Sequence, residues 1–189
     1  SGLMFPEGEM LGIDIVIPDI TYIEENKERV KGIFLTHGHE DAIGSIAYLL
    51  QKVQAPIYAS KLTIALAKEH LKEMPSPNPV KFFEVTNKSR MNFDCTHVTF
   101  FNTTHSIPDS LGIVFNTSEG AIVHTGVFTF DQAATGKYPP DIGKMARLVE
   151  HGVFILMSDS SESERPGYTT SASVIDKIVS APVCTPVPQ

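Results

Sequence analysis

Two histidines and an aspartate, His37, His39 and Asp41, occupy alternate positions in one short stretch of the sequence. They follow an apolar run at residues 32–35 that has the composition of a β-strand. This spacing can direct three ligands from a loop at the end of a strand toward one point. Neutral imidazole and carboxylate suit zinc or manganese, so the stretch predicts a metal site. The alternative is a surface loop that happens to carry polar residues.

The position after Asp41, where a fourth ligand would be expected, is Ala42. A second gap follows the strand that ends in Thr-Gly, a common place for a metal-bridging aspartate, because Val127 stands there. Asp131 lies four residues further on, roughly 13 Å of extended chain, and cannot replace it without a sharp bend. His124 is expected to face away from position 127 and to be structural.

A third imidazole could come from His105, which follows a predicted strand at residues 98–101. It could point to the same site as His37 and His39. Ser106 and Asp109 could then hold its other ring nitrogen through a hydrogen bond. Taken alone, a histidine after a strand is more often an ordinary polar loop residue.

A further carboxylate, Asp159, follows the apolar run at residues 153–157, which is expected to be a buried strand. At the end of a strand beside a cleft, it could position a water molecule or a metal ligand. It could equally be a turn former or a helix cap.

The composition limits the classes of protein that fit. With 189 residues, 42% of them hydrophobic, the chain can form one sizeable core. A net charge of −7 argues against a surface that binds nucleic acid throughout. No apolar run approaches the length of a membrane span, and two distant cysteines are consistent with a reduced, cytoplasmic setting.

The elements that must position these residues alternate between strand and helix patterns, and then become mostly strands. Strands are predicted at 13–17, 32–35, 55–59, 81–85, 96–102, 111–116, 120–125 and 153–157, and helices at 43–53, 61–73 and 141–150. This order fits two layers of sheet flanked by helices, an α/β fold. The tail at 181–189 has three prolines and is expected to be extended.

Several segments together resemble the ribonuclease J family, in the β-CASP branch of the metallo-β-lactamase superfamily. They lie in family order at residues 2–7, 12–19, 35–41, 104–110, 158–160 and 164–167. The resemblance implies an αββα sandwich over residues 1–170, incomplete because the opening strands and the β-CASP domain are not in these residues. Residues 171–189 would be the start of the β-CASP region or an unanchored tail.

The resemblance also implies roles for individual residues. His37, His39 and His105 match ligands of a first metal, Asp41 matches a ligand of a second metal, and Asp159 matches the first acidic motif of the β-CASP module. Asp41 and Asp159 are thus the candidate catalytic residues. A family histidine is replaced by Ala42 and a bridging aspartate by Val127. These losses resemble a second, degenerate type of family member that some Gram-positive bacteria carry beside an active one.

The function implied is 5′→3′ exo- and endonucleolytic hydrolysis of RNA phosphodiesters by a metal hydroxide, weakened or lost in this copy. At most one Zn or Mn ion is expected. The expected partners are RNA, an active paralogue in a homo- or hetero-oligomer, and an RNA-degradation complex, with no membrane. The alternative is a non-catalytic subunit that stabilises an active paralogue. A metallo-hydrolase of small substrates is a third hypothesis, against which the segment at 104–110 weighs.

Overall fold

Two β-sheets and the helices on their outer faces make up the fold. The computed structural model describes residues 1–6, 8, 10–129, 131, 139–150, 152–167 and 170–180. The helices are α1 (Thr21–Glu25), α2 (Glu40–Ile43), α3 (Ile46–Lys52), α4 (Lys61–Glu73), α5 (Ile142–Glu150) and α6 (Ala172–Ser180), with a 3-10 turn at Lys27–Arg29. The strands are β1 (Ile33–Phe34), β2 (Ile57–Ala59), β3 (Phe82–Glu84), β4 (Arg90–Phe93), β5 (Thr96–Asn102), β6 (Leu111–Thr117), β7 (Gly120–His124) and β8 (Val153–Met157).

The first sheet is parallel, with strand order β1-β2-β3. Parallel neighbours need a crossover connection, and α2 with α3 and then α4 provide the two crossovers. The central strand β2 is buried at every residue, as expected for a strand covered on both faces. Apolar side chains of the sheet and of the helices form one core cluster, which includes Leu35, Ile57, Ile46 and Ile64.

The second sheet has the order β4-β5-β6-β7-β8, antiparallel except for the parallel pair β7–β8. Helix α5 forms the crossover between β7 and β8. Its Met145 and Leu148 pack on the buried face of this sheet against Phe101 and Val114. The carboxylate of Asp141, which precedes α5, accepts hydrogen bonds from the Asn102 backbone N–H (3.1 Å) and the Asn87 amide (2.7 Å).

A third core cluster joins the two sheets face to face. Phe34 stacks on Tyr58 at 4.9 Å between ring centroids, and both belong to the first sheet. Phe100 and Ile113 of the second sheet pack in the same cluster. The layers are therefore helix, sheet, sheet and helix, and the predicted αββα sandwich is confirmed.

Several predicted elements differ from the structure. Residues 13–17 form only an isolated bridge, Met4 to Val16, because they do not lie along a described sheet edge. The predicted helix at 43–53 is two helices, α2 and α3, because the N–H of Ser45 donates to the Ser1 carbonyl at 2.7 Å instead of continuing the helix. Strands β1 and β2 are shorter than predicted, while α4 and β5 have the predicted bounds.

The prediction that β8 is buried is wrong. The strand forms, but its five side chains are 40–62% exposed. It lies at the end of its sheet and pairs along one edge with β7. No described element covers it, so an apolar composition alone did not decide burial.

The predicted domain boundary at residue 170 stays a prediction. The tail at 181–189, which was expected to be extended, lies outside the described residues. Ser171, just before α6, donates to the Asp131 carboxylate at 2.9 and 3.0 Å.

In the part of the chain that the structure describes, no helix has the length and apolar character needed to cross a bilayer.

Candidate metal centre

Two loops at neighbouring strand ends bring the three predicted imidazoles together. His37 and His39 lie in the loop between β1 and α2, and His105 lies in the loop after β5. Each loop is anchored to its surroundings: the Leu111 N–H donates to the Thr36 carbonyl at 2.8 Å, and the Thr103 N–H donates to the Ser110 carbonyl at 3.2 Å. The rings stand 4.8–5.1 Å apart between centroids.

One nitrogen from each ring faces a common point. These three candidate ligand atoms all lie within 4.8 Å of one another. His39 Nδ1 and His105 Nε2 are 3.0 Å apart, although the residues are 66 positions apart in the sequence. Two nitrogens bound at about 2.0–2.1 Å to one tetrahedral zinc ion are roughly 3.3–3.4 Å apart. The His39 and His105 rings therefore need only a small adjustment to bind one ion together.

The surroundings of His37 provide the strongest sign that the cluster fits a metal. This residue is 2% exposed, and its Nε2 atom is buried without a hydrogen-bond partner among the described residues. A buried polar atom without a partner is rare and costly, and a metal ion would satisfy it. The other ring nitrogen, Nδ1, is 2.9 Å from the Thr36 hydroxyl, which can fix the ring as outer-sphere partners of metal-bound histidines do.

Burial also favours the form of the imidazoles that binds metals. It lowers the pKa of His37, against a smaller opposite effect of the Asp41 charge. Burial, and then the neighbouring His39, lower the pKa of His105. A lowered pKa keeps the ring neutral at a lower pH than usual, so that its lone pair remains available.

The carboxylate next to this cluster is held much more loosely. Asp41 lies in the first turn of α2, its side chain is 59% exposed, and its Oδ1 atom is 3.6 Å from His37 Nε2. The adjacent Ala42 is half-buried and packs its methyl group against the apolar core. The chain start covers this turn: a Cβ atom at Gly2 would lie 1.7 Å from the Asp41 carbonyl oxygen.

A cavity of about 320 Å³ opens beside the imidazoles. The residues that line it are Ser1, Gly2, Phe34, Thr36, His37, Asp41, Ala42, His124, Gly126, Val127, Met157, Ser158 and Asp159. It thus contains both predicted carboxylates and both positions at which a ligand was predicted to be lost. The apolar side chains of Ala42 and Val127 themselves offer no metal donor.

Asp159 forms a turn and also lines the cavity, and its predicted part in positioning a water or a metal ligand stays a prediction. Its carboxylate lines the cavity, and Oδ1 also accepts hydrogen bonds from the N–H (3.1 Å) and the hydroxyl (2.8 Å) of Ser161, which forms a turn. These bonds lower the pKa of Asp159, so it is a charged acceptor at neutral pH. Its own N–H donates to the Thr125 hydroxyl at 3.2 Å, which ties the turn to the end of β7.

The structure places three other predicted residues differently or further away. Asp109 accepts a bond from the Leu62 N–H at 3.3 Å and caps α4, instead of holding His105. Neither Ser106 nor Asp109 is seen bonded to that ring among the described contacts. Asp131 bonds Ser171 and is not among the described residues that line the cavity, in agreement with the predicted distance.

His124 was expected to face away from position 127 if the strand were regular, but the strand does not continue to that position and both residues line the cavity. Strand β7 ends at His124, and the chain turns at Gly126, whose φ is +64°. The N–H of Gly126 donates to His124 Nδ1 at 3.0 Å across this turn.

The sequence pattern had assigned no role to Thr36 or Thr125. Their position beside the candidate residues was the only signal that could have indicated one.

Comparison with known proteins gives a consistent result. A β-lactamase superfamily domain matches residues 12–146. Ribonuclease J 2 of Staphylococcus aureus (strain MRSA252) is 60% identical over 176 residues, which are 93% of this chain and 32% of that protein. Ribonuclease J 2 of Staphylococcus saprophyticus is 61% identical over the same shares. The chain thus spans about a third of the length of these relatives.

Among solved structures, the Rm3 metallo-beta-lactamase is similar with a TM-score of 0.47 and 19% identity, over 85% of this chain and 68% of that chain. The fold assignment depends on the superfamily match and on the observed layers.

Proposed function

Since the chain belongs to the β-lactamase superfamily, we propose that it is the metal-binding part of a ribonuclease of the ribonuclease J type, with one metal ion and reduced activity. The observation that carries this proposal is an asymmetry around His37. Its ring is clustered with those of His39 and His105, while the cavity that His37 lines has Ala42 and Val127 where the family resemblance implies ligands. The high identity to ribonuclease J 2 proteins supports RNA as the substrate.

The ligands of the ion are His37 Nε2, His39 Nδ1 and His105 Nε2 in this proposal. Their support is the unsatisfied Nε2 atom of His37 and the short separation of the other two nitrogens. A bound zinc or manganese ion supplies Lewis-acid catalysis and lowers the pKa of a bound water. The protein holds the ligand geometry through Thr36 and the two anchored loops.

A second ion is not retained in this proposal. Two divalent ions about 3.5–4 Å apart repel by roughly 15–20 kcal/mol at an effective dielectric constant near 20, and bridging anions normally offset much of this. Asp41 is the carboxylate left on that side beside Ala42 and Val127. Because it is largely exposed, it holds its position weakly.

In this proposal the two carboxylates of the cavity would accept hydrogen bonds from the attacking water. Asp159 is charged at neutral pH and lines the cavity, so it can orient the water, although its lowered pKa makes it a weak base. Asp41, beside His37, can accept a hydrogen bond from the same water. Without two-metal stabilisation of the phosphate charge, we expect hydrolysis to be slower by orders of magnitude.

The experiment that tests this proposal restores the missing ligands. The double variant Ala42→His, Val127→Asp is compared with the unmodified protein by elemental analysis and by hydrolysis of a 5′-monophosphorylated RNA. We expect at most one metal equivalent before restoration, about two after it, and a large gain in rate. Addition of His37→Gln to the double variant is the matched control and removes both gains.

Two equivalents of metal in the unmodified protein would refute the one-metal proposal. Equal rates before and after restoration would refute the claim that the lost ligands limit catalysis.

A second function is favoured by the intact fold around the altered wall. Ala42 packs against the apolar core and the αββα layers are formed, as expected if the fold is kept for a purpose other than catalysis. In that case the protein is a subunit that stabilises an active paralogue in an RNA-degradation complex. Co-purification with a paralogue, unchanged by His37→Gln, would support this role; absence of any such partner would exclude it.

A further inference from the structure

His124 lies on the altered side of the cavity, apart from the three clustered imidazoles. It is the last residue of β7, it is exposed, and it lines the cavity together with Asp41, Val127 and Asp159. The described metal-ligand cluster contains His37, His39 and His105 and does not include it. His124 is thus a polar side chain in the cavity to which the metal site assigns no role.

A backbone hydrogen bond determines which nitrogen of this ring carries the proton. The Gly126 N–H donates to His124 Nδ1 at 3.0 Å. An amide N–H only donates, so Nδ1 must present its lone pair, and the proton of the neutral ring is on Nε2. The buried turn at Gly126, with φ of +64°, holds this donor in place. Nε2 of His124 is therefore a hydrogen-bond donor and is unsuited to bind a metal ion.

The charge of the cavity makes such a donor useful. Asp41 and Asp159 contribute two carboxylates, and no Lys or Arg occurs among the described residues that line the cavity. A phosphate that enters would meet acceptors that repel it. The Ser158 hydroxyl donates to the Asp159 carbonyl at 3.1 Å, and the Thr36 hydroxyl is paired with His37. The Nε2–H group of His124 is a side-chain donor with no described partner, and it is therefore available to a substrate.

We propose that His124 binds substrate by donating from Nε2 to a non-bridging phosphate oxygen of RNA, on the side of the cavity where metal ligands are missing. This role rests on the proposed function, since that function makes RNA the substrate. The contact compensates for part of the charge stabilisation that a second ion would give, and it acts on binding of the phosphate.

The first test measures the tautomer. Long-range proton–nitrogen correlation spectra of the protein labelled with ¹⁵N-histidine report which ring nitrogen of His124 is protonated, and His124→Gln identifies its signals. We expect Nε2 to be protonated and its signal to shift when a short single-stranded RNA with a 5′ monophosphate is added. A proton on Nδ1 would overturn the proposal.

The second test compares RNA affinity by fluorescence anisotropy. His124→Leu removes the donor, and we expect the affinity for the same RNA to fall about tenfold, as for a lost hydrogen bond to a charged group. His124→Gln keeps an N–H donor and is expected to stay within about threefold of the unmodified protein. The matched control is His97→Leu on β5, outside the cavity lining, which is expected to leave the affinity unchanged.

The outcomes separate this proposal from the proposed function. Unchanged affinity of His124→Leu, or an equal loss in His124→Gln, would overturn the donor role while the ribonuclease proposal stands. Failure of the unmodified protein to bind the RNA would overturn both.

Discussion

The imidazole side and the altered side of the cavity differ in how firmly their groups are held. On the first side, His37 is buried, its Nδ1 is paired with Thr36, and its Nε2 faces two further ring nitrogens. On the second side, Asp41 is 59% exposed at its side chain and stands beside two apolar residues. One side thus carries three clustered imidazole nitrogens that the fold holds in place, and the other carries an exposed carboxylate that is held weakly.

The two sides are built independently along the chain. The imidazoles are positioned by two loops, each tied by backbone hydrogen bonds next to a strand end. A metal needs several donors at once, so in the one-metal proposal Ala42 and Val127 remove one binding position and leave the imidazole position in place.

The backbone on the second side is also closely packed. The methyl group of Ala42 contacts the apolar core, and a Cβ atom at Gly2 would clash with the Asp41 carbonyl oxygen. The side chains of Ala42 and Val127 nevertheless line an open cavity of about 320 Å³, which the described residues leave unfilled.

The largest effect is expected on metal affinity, from replacing a histidine on the imidazole side. His37→Gln removes the buried nitrogen, and we expect metal affinity to fall by about 100-fold or more, since even the loss of an outer-sphere partner costs about 10- to 100-fold. Competition with a chromophoric chelator measures this affinity. His97→Gln, a substitution on β5 away from the cluster, is the control. Equal affinities in the two variants would show that the cluster is not the metal site.

The next largest effect is expected on protein stability, from a substitution in the turn at Gly126 between the two sides. At Gly126, a Cβ would lie 3.1 Å from Thr36 Cβ, and φ is +64°. We expect Gly126→Ala to lower the free energy of unfolding by about 1–2 kcal/mol, the cost of a left-handed non-glycine residue.

Gly143→Ala is the matched control for that turn. Gly143 lies in α5, and no atom stands within 4 Å of an added Cβ. We expect this substitution to be neutral or to stabilise by up to about 1 kcal/mol, because alanine favours helix. Urea unfolding measures both variants, and equal effects would contradict the role assigned to the turn.

Acidification tests the metal-free imidazole side. Burial lowers the pKa of His37 and of His105, so the unfolded chain binds more protons than the folded protein below the usual imidazole pKa of about 6.5. Stability is therefore complete above that pH and is expected to fall as the pH decreases toward the folded-state values. Urea unfolding in the presence of a chelator measures this slope between neutral and mildly acidic pH. A slope that His37→Gln leaves unreduced would contradict the explanation.

The smallest effect is expected on the altered side. Asp41→Asn removes the charge of an exposed carboxylate that is 3.6 Å from His37 Nε2. If the single ion is held by the imidazoles, metal affinity changes by only about twofold to threefold, as for weak exposed charge pairs. A loss of metal affinity as large as that of His37→Gln would show that Asp41 contributes as much to metal binding as His37 does. The two sides would then not differ in the way described.

The layered fold was largely predictable from local patterns. The alternation of apolar strands and helices gave the two sheets and the flanking helices, and α4 and β5 have the predicted bounds. The exposure of β8 was not predictable, because burial depends on what lies against a strand and not on the composition of the strand itself. The single bridge at Val16 and the break at Ser45 likewise depend on contacts with residues distant in sequence.

The sequence by itself determined the donors that this protein has and lacks: three histidines at strand ends, Ala42 and Val127. These are facts of residue type and position. Only the tertiary structure decided that His37 Nε2 is buried and unpaired, that His39 and His105 meet across 66 residues, and that His124 enters the cavity. The physical reason is that a ligand atom is placed by the packing of whole loops and sheets, and local spacing fixes only which residues are available.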